Sequence, residues 1–174
     1  RIGIGVLTRL RGFAPSKILV DDIKPNHELD KEYNLEWSSK EQIFKEADII
    51  SLHIPLTHLT KNMIRREQLF SMKDDSLIIN TSRGGIINEE DLYEVMNSGH
   101  LSGAAIDVFE KEPYDGPLKE IERCLLTAHM GSMSLDCRAR MEIESTEEVV
   151  RFLTSETLEN EVPQEEYLIQ RQDF

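Results

Sequence analysis

The stretch SLIINTSRGGIINEEDL, residues 76–92, decides the fold predicted for this chain. Its apolar run at residues 77–79 is too short for a helix and predicts a buried strand, which ends in polar residues and the Gly84-Gly85 pair. Asn88 then precedes three acidic residues, a pattern typical of a capped helix N-terminus. The stretch therefore predicts a parallel strand, a tight turn at its carboxyl end, and a helix.

Arg83 lies in the predicted turn. Open α/β sheets bind ligands at the carboxyl ends of their strands, so a ligand is expected near this arginine. A guanidinium group beside two glycines suits a carboxylate, because it can donate two parallel hydrogen bonds while the glycines permit close approach. The alternative is an arginine that caps carbonyl groups in a surface turn. This stretch alone supports both interpretations equally.

Composition narrows the class of protein. The chain has 174 residues, of which 39% are hydrophobic and 30% charged, as in an ordinary soluble globular domain. Its net charge of -13 argues against nucleic acid and anionic membrane surfaces as partners, since both would be repelled. No apolar run approaches the roughly 18 residues of a membrane span. Two cysteines make no disulfide framework and indicate reduced thiols in a cytoplasmic protein.

Strand patterns alternate with helix patterns along the chain. Besides residues 77–79, strands are predicted at residues 1–5, 17–22, 35–37, 47–54, 101–109 and 124–129. This alternation predicts an α/β fold with a doubly wound parallel sheet.

The first two predicted strands suggest a dinucleotide site. Gly3 and Gly5 are spaced as in a phosphate-binding turn, and Asp22 follows the second strand, where an acid can bind a ribose hydroxyl. Thr8, however, occupies the position of the third glycine. The alternative is a glycine-containing turn beside a solvated acidic loop.

The last helix is predicted to be long and amphipathic. Its apolar stripe recurs at three- and four-residue steps and is expected to pack on the core. The stripe consists of Leu135, Ala139, Ile143, Thr146, Val149, Val150 and Leu153. We therefore assign residues 1–153 to one dinucleotide-binding domain and residues 154–174 to an acidic, extended tail containing Pro163.

Three side chains at predicted strand ends suggest proton transfer at a carbon next to a carboxylate. Arg83 would bind the carboxylate, and His129 would accept the hydroxyl proton as a hydride leaves. Glu112, bonded to the other imidazole nitrogen, would select the tautomer and favour the charged ring. The alternatives are that Glu112 is one more charge in a loop and that His129 is a structural residue at a strand end.

Four segments together resemble the D-isomer-specific 2-hydroxyacid dehydrogenases, in the order and spacing of that family. They are SLHIPLTHLTKNMI at residues 51–64, NTSRGG at residues 80–85, GHLSGAAIDVFEKEP at residues 99–113 and LLTAHMGS at residues 125–132. The resemblance implies a Rossmann-like domain and NAD-dependent interconversion of a D-2-hydroxy acid, such as 3-phosphoglycerate, and its 2-oxo acid.

The resemblance also implies residue roles. Arg83, Glu112 and His129 match the catalytic residues of the family. The implied cofactor-binding residues are Gly5, Asp22, His53, Pro55, Thr60, Thr81, Ser82, Asp107 and Gly131. An acid at Asp22 would favour NAD over NADP, because a 2′-phosphate would meet a carboxylate. Glu112 distinguishes the chain from related formate dehydrogenases, which carry glutamine there, and no metal is expected.

Two further expectations concern the whole protein. The family builds its substrate domain largely from residues upstream of the cofactor domain, so we expect that domain to be largely absent from this chain. A homodimer through cofactor domains is also implied, with the last helix and residues 114–123 as candidate contacts. The alternatives are a non-catalytic, NADH-sensing module like the corepressor relatives of the family, or an inactive relic.

Overall fold

Short parallel strands joined by helices make up the structure, a computed structural model that describes residues 2–161. The strands are β1 (Ile18–Val20), β2 (Leu35–Trp37), β3 (Ile49–Leu52), β4 (Leu77–Asn80), β5 (Gly103–Ile106) and β6 (Cys124–Leu126). The helices are α1 (Ile2–Leu10), α2 (Asp30–Tyr33), α3 (Lys40–Glu46), α4 (Arg66–Ser71), α5 (Glu89–Ser98) and α6 (Leu135–Leu153). Every pair of neighbouring strands is parallel, which confirms the predicted α/β class. The strands predicted at residues 47–54, 101–109 and 124–129 form, but each is shorter than predicted.

The strands form two sheets, with β1-β2 in one and β3-β4-β5-β6 in the other. In the common order 3-2-1-4-5-6 of dinucleotide-binding folds, the strand before the first helix lies in the middle of the sheet. The part of this chain that the structure describes begins directly with α1, and no hydrogen-bonded strand joins β1 to β3 within it.

The strand predicted at residues 1–5 is wrong, because residues 2–5 lie in α1. Ile2, Val6 and Leu10 recur every four residues, which is a helical spacing. Ile2, Ile4 and Val6 also alternate as in a strand, so this short apolar run fits both patterns. The helix consequently places Gly3 and Gly5 in regular backbone instead of a turn.

The core lies on one face of the four-stranded sheet. β3 and β4 alternate between buried and more exposed residues, and the buried ones meet α4 and α5. Ile78 of β4, Leu69 of α4 and Met96 of α5 have no exposed surface. On the other face, Ile49 and Leu125 are exposed. The burial pattern of the strands thus directs one set of side chains to the core.

The core role predicted for the stripe of α6 is wrong. No residue of α6 is buried, and Ile143 and Leu153 are 57% and 74% exposed. Apolar residues at three- and four-residue steps show that one face of a helix is apolar. They do not show which other segment, if any, packs against that face. α6 ends at Leu153, where the predicted domain ends, and Pro163 lies outside the described residues.

Neither α6 nor any other helix in residues 2–161 combines the length and apolar character needed to cross a bilayer.

The predicted strand, turn and helix at residues 76–92 are confirmed. The side chain of Asn88 accepts a hydrogen bond from the backbone N–H of Asp91 at 3.0 Å, which caps α5. Gly99 ends the helix with φ of +86°, a left-handed conformation that favours glycine. The strand, turn and helix therefore determine where the chain leaves β4 and where α5 begins to pack on the core.

We expect Asn88→Ala to lower the free energy of unfolding by about 1 kcal/mol, because the first turn of α5 loses its side-chain acceptor. Urea denaturation followed by circular dichroism measures this change. Asn88→Ser retains an acceptor oxygen and should stay close to the original protein. Equal losses in both variants would contradict the capping role.

Candidate functional site

The carboxyl ends of β4, β5 and β6 meet at one edge of the larger sheet. Asn80 pairs with Ile106, and Ile106 pairs with Leu126, so the three strands end side by side. Arg83, Asp107 and His129 follow these strands in turn. The topology therefore places these three residues just beyond neighbouring strand ends, as the sequence predicted.

Glu112 and His129 form a hydrogen-bonded pair. The His129 Nδ1 atom lies 2.9 Å from Glu112 Oε2, and the backbone N–H of Phe109 donates to Glu112 Oε1 at 3.1 Å. The hydrogen bond from His129, followed by that from Phe109, lowers the pKa of Glu112. A carboxylate only accepts hydrogen bonds, so Nδ1 carries the proton and Nε2 is the imidazole nitrogen that can accept one. The His129 side chain is 48% exposed and thus accessible to a ligand.

His129 lies in a constrained turn. Its φ is +55°, a left-handed conformation that is uncommon outside glycine and costs on the order of 1–3 kcal/mol. The backbone N–H of His129 donates to the carbonyl oxygen of Asp107 at 2.8 Å. Such a conformation persists only where surrounding contacts hold it.

The side chain of Asp107 supplies further contacts. It is 7% exposed, and its Oδ1 atom accepts from the Thr127 hydroxyl and, at 2.8 Å, from the backbone N–H of Met130. Burial pushes the pKa of Asp107 upward, but the hydrogen bonds from Met130, Thr127 and the backbone of Gly131 outweigh it and hold this pKa below its ordinary value. Asp107 therefore binds both sides of the turn that carries His129.

Arg83 projects from an exposed turn, where its Nη1 donates to the carbonyl of Ser82 at 2.6 Å. The sequence offered the alternative that Arg83 caps a carbonyl group in a surface turn, and the structure contains such a contact. Gly84 packs directly on the next strand connection, because a Cβ atom at Gly84 would lie 2.0 Å from the carbonyl carbon of Phe109. Only glycine fits this approach without a backbone shift, so the Arg83 turn rests on the segment that leads to Glu112.

His53 follows β3 and has one unsatisfied nitrogen. Its Nε2 lies 3.0 Å from the Ser51 hydroxyl, whereas Nδ1 is buried and has no hydrogen-bond partner in the described residues. Burial lowers the pKa of His53. A Cβ atom at Gly3, in the first turn of α1, would lie 3.7 Å from the ring. The ring is therefore packed beside the amino end of a helix.

The other residues predicted to bind cofactor occupy four regions. Thr60 closes the loop after β3 by donating to the Pro55 carbonyl at 2.7 Å and accepting from Thr57 N–H at 2.8 Å. Asp22 is exposed after β1, and its Oδ1 accepts from the Lys24 backbone at 3.0 Å. Thr81 and Ser82 begin the Arg83 turn, and Gly131 belongs to the His129 turn.

The structure does not place Gly5 in a phosphate-binding turn. Gly5 lies inside α1, and its carbonyl accepts from Arg9 Nη1 at 2.8 Å. The glycine at the beginning of α1 is Gly3. Sequence reasoning also missed the contributions of Asn80 and Thr127. Asn80 is a polar residue next to the end of the strand predicted at residues 77–79, whereas Thr127 lies inside the strand predicted at residues 124–129.

Comparisons with known proteins agree with this arrangement. Residues 1–131 match the family model described as D-isomer specific 2-hydroxyacid dehydrogenase, NAD binding domain. The chain is 38% identical over 167 residues to a glyoxylate reductase from Korarchaeum cryptofilum, covering 95% of this chain and 50% of that protein. It is 41% identical over 159 residues to a hydroxypyruvate reductase from Thermotoga maritima, covering 87% and 50%. The chain thus spans about half the length of the curated relatives it matches.

Solved structures give the same result. The TT0316 protein from Thermus thermophilus superposes with a TM-score of 0.83 at 33% identity, covering 93% of this chain and 50% of that one. A D-lactate dehydrogenase with NAD+ from Lactobacillus jensenii superposes with a TM-score of 0.81 at 27% identity, covering 93% and 52%.

We expect Thr127→Val to raise the pKa of Asp107, because the carboxylate loses a hydrogen-bond donor. Carboxyl ¹³C NMR titration measures this pKa, and Thr127→Ser, which retains the hydroxyl, is the control. Since the folded-state pKa lies below the unfolded value of about 3.9, Asp107 stabilises the fold above that value and loses this contribution as pH falls through its folded pKa. Stability in Thr127→Val should therefore depend less on pH in this acid range. Identical titrations of the valine and serine variants would contradict the hydroxyl contact.

Proposed function

Because this chain belongs to the D-isomer specific 2-hydroxyacid dehydrogenase family through its NAD-binding domain, we propose that it carries the catalytic edge of an NAD-dependent D-2-hydroxyacid dehydrogenase. The observation that supports this most directly is the hydrogen-bonded Glu112–His129 pair, on the same sheet edge as Arg83. An acid/base group and a carboxylate-binding cation are what the interconversion of a hydroxy acid and an oxo acid requires.

The proposed roles follow from the chemistry of each side chain. When bound, NAD would supply the hydride acceptor for oxidation of the substrate, and NADH would supply the hydride donor for reduction. His129 Nε2 takes the proton of the substrate hydroxyl during oxidation and returns it to the oxygen during reduction. Glu112, 2.9 Å from Nδ1, stabilises the imidazolium that results. Arg83 binds the substrate carboxylate with parallel N–H donors, for which its Nη1 must leave the Ser82 carbonyl.

The described residues fit a bound dinucleotide. The buried Nδ1 atom of His53 has no hydrogen-bond partner within the described residues, so it could bond to a ligand. The His53 ring lies beside the amino end of α1. We assign Gly3 the place of the third glycine of the phosphate-binding motif, which packs the helix closely on a strand. Asp22 follows it by about 20 residues, the spacing of the acid that binds a ribose hydroxyl. We also place Pro55, Thr60 and four residues of the strand-end turns along the cofactor: Thr81, Ser82, Asp107 and Gly131.

Relatives suggest the size of the substrate. Their names include glyoxylate reductase, hydroxypyruvate reductase and D-3-phosphoglycerate dehydrogenase, all of which name short acids. We therefore propose a short 2-oxo acid or its D-2-hydroxy counterpart, such as 3-phosphoglycerate, as substrate.

We further propose a cytoplasmic homodimer. The exposed apolar residues of α6, among them Ile143 and Phe152, support contact with another surface, and the two free cysteines support a reducing compartment. Residues 1–153 would form the cofactor domain, and residues 154–174 would return to a substrate domain.

We expect His129→Ala to lower kcat by a factor of about 10² to 10⁴ while leaving NADH affinity nearly unchanged, because a general acid/base is lost without a cofactor contact. Absorbance at 340 nm measures NADH turnover by the whole gene product with glyoxylate, hydroxypyruvate and 3-phosphohydroxypyruvate, and fluorescence measures NADH binding. His27→Ala, remote in the chain and bonded to Asp30, is the matched control. NADH binding by the unmutated protein without turnover of any acid would overturn the proposal in favour of a sensing module.

We expect Asp22→Ala to reduce the preference for NADH over NADPH by about tenfold, because the 2′-phosphate no longer faces a carboxylate. Fluorescence titration with each nucleotide gives the two dissociation constants. Asp21→Ala is the matched control, since Asp21 is engaged with Lys40 at 3.2 Å. An unchanged preference in Asp22→Ala, or an equal change in Asp21→Ala, would remove Asp22 from the ribose site.

A further inference from the structure

Asn80 is a buried polar residue at the last position of β4. It is 2% exposed, and its backbone carbonyl accepts from the N–H of Asp107 at 3.0 Å. A buried side-chain amide needs hydrogen-bond partners, because burial without them leaves desolvated polar atoms unsatisfied and is unfavourable. The positions of the hydrogen-bond partners of Asn80 therefore indicate which part of the structure its side chain stabilises.

The partners of the Asn80 amide all lie in the Arg83 turn. Oδ1 accepts from the Ser82 backbone N–H at 3.1 Å and from the Ser82 hydroxyl at 2.8 Å. Nδ2 donates to the carbonyl of Arg83 at 3.0 Å. One side chain thus binds the backbone before and after the Cα atom of Arg83, which fixes the direction in which the arginine leaves the sheet.

The same turn is in contact with the segment that holds Glu112. Gly84, next to Arg83, lies against the carbonyl of Phe109, and the N–H of Phe109 donates to Glu112 at 3.1 Å. A shift of the turn toward the sheet would therefore push on the backbone that orients Glu112. Asn80 is consequently placed to keep the arginine and the Glu112–His129 pair in a fixed relation.

We propose that Asn80 is a positioning residue that holds the backbone of the Arg83 turn, and so fixes the point from which the Arg83 guanidinium reaches an anionic ligand, without contacting the ligand. The importance of this orientation for the reaction rests on the carboxylate-binding role proposed for Arg83. The side chain must offer an acceptor and a donor at once, which an amide does. Aspartate would lose the donor to the Arg83 carbonyl and place a negative charge in a buried position; leucine would lose the donor and the acceptor.

NMR of the ligand-free chain tests this proposal directly. In Asn80→Ala, we expect the Ser82 amide to exchange with solvent at least about tenfold faster. We also expect the Arg83 Nη–H resonances to move toward the position of a free guanidinium, because the hydrogen bond from Nη1 to the Ser82 carbonyl depends on the shape of this turn. Asn88→Ala, which removes another structural asparagine contact, should change neither signal. Faster exchange at Ser82 with an unchanged Arg83 resonance would overturn the proposal, because Asn80 would then stabilise the turn alone.

A milder variant keeps the test decisive if Asn80→Ala does not fold. Ser82→Ala removes one donor to Asn80 Oδ1 and leaves the contact from Nδ2 to the Arg83 carbonyl in place. It should shift the Arg83 resonance in the same direction by a smaller amount. No shift at all would overturn the proposal.

A double-mutant cycle on glyoxylate turnover tests the consequence for the reaction. If Asn80 acts through Arg83, Asn80→Ala should raise KM several-fold in the unmutated background and have no further effect in Arg83→Ala. Additive losses would contradict action through Arg83. Absence of turnover in the unmutated protein would contradict the proposed function, while the NMR measurements would still decide whether Asn80 orients the arginine.

Discussion

The parallel register of β4, β5 and β6 is the constraint on which the site depends. Asn80, Ile106 and Leu126 lie side by side, so the chain leaves three strands at the same edge. The register is held by burial: side chains alternate between the two faces, and a slip by one residue would turn Ile78 away from the core. Hydrophobic burial on one face of the sheet therefore determines where the polar groups of the site meet.

Backbone donors and buried polar side chains then refine the positions set by the register. The N–H of Phe109 holds one oxygen of Glu112 and leaves the other for His129. Asp107 holds the turn in which His129 adopts a left-handed conformation. Glu112 and the His129 turn are therefore held in place by hydrogen bonds from the backbone and to a buried carboxylate, and such preorganisation lowers the cost of reorganisation when a ligand binds.

Much of the site follows from the sequence because its chemistry is local. The apolar run before Arg83 and the cap at Asn88 each act within a few residues, and both were predicted correctly. The pairing of Glu112 with His129 was also predicted, since parallel strands share one edge and these groups are chemically complementary. Residue types and spacing were sufficient for these features.

Other features depend on contacts between distant segments. The run at residues 2–6 fits both a strand and a helix, and the structure forms a helix. The stripe of α6 established an apolar face, whereas the fold leaves that face outside the core. The bond from Thr127 to Asp107 joins residues on neighbouring strand connections. By itself, then, the sequence determined the strand, turn and helix at residues 76–92 and the chemical types of the candidate site residues, because capping and turn formation arise from neighbours along the chain and side-chain chemistry belongs to each residue. Only the tertiary structure decided which surfaces are covered and which buried polar groups orient the site, because burial depends on segments that are far apart in sequence.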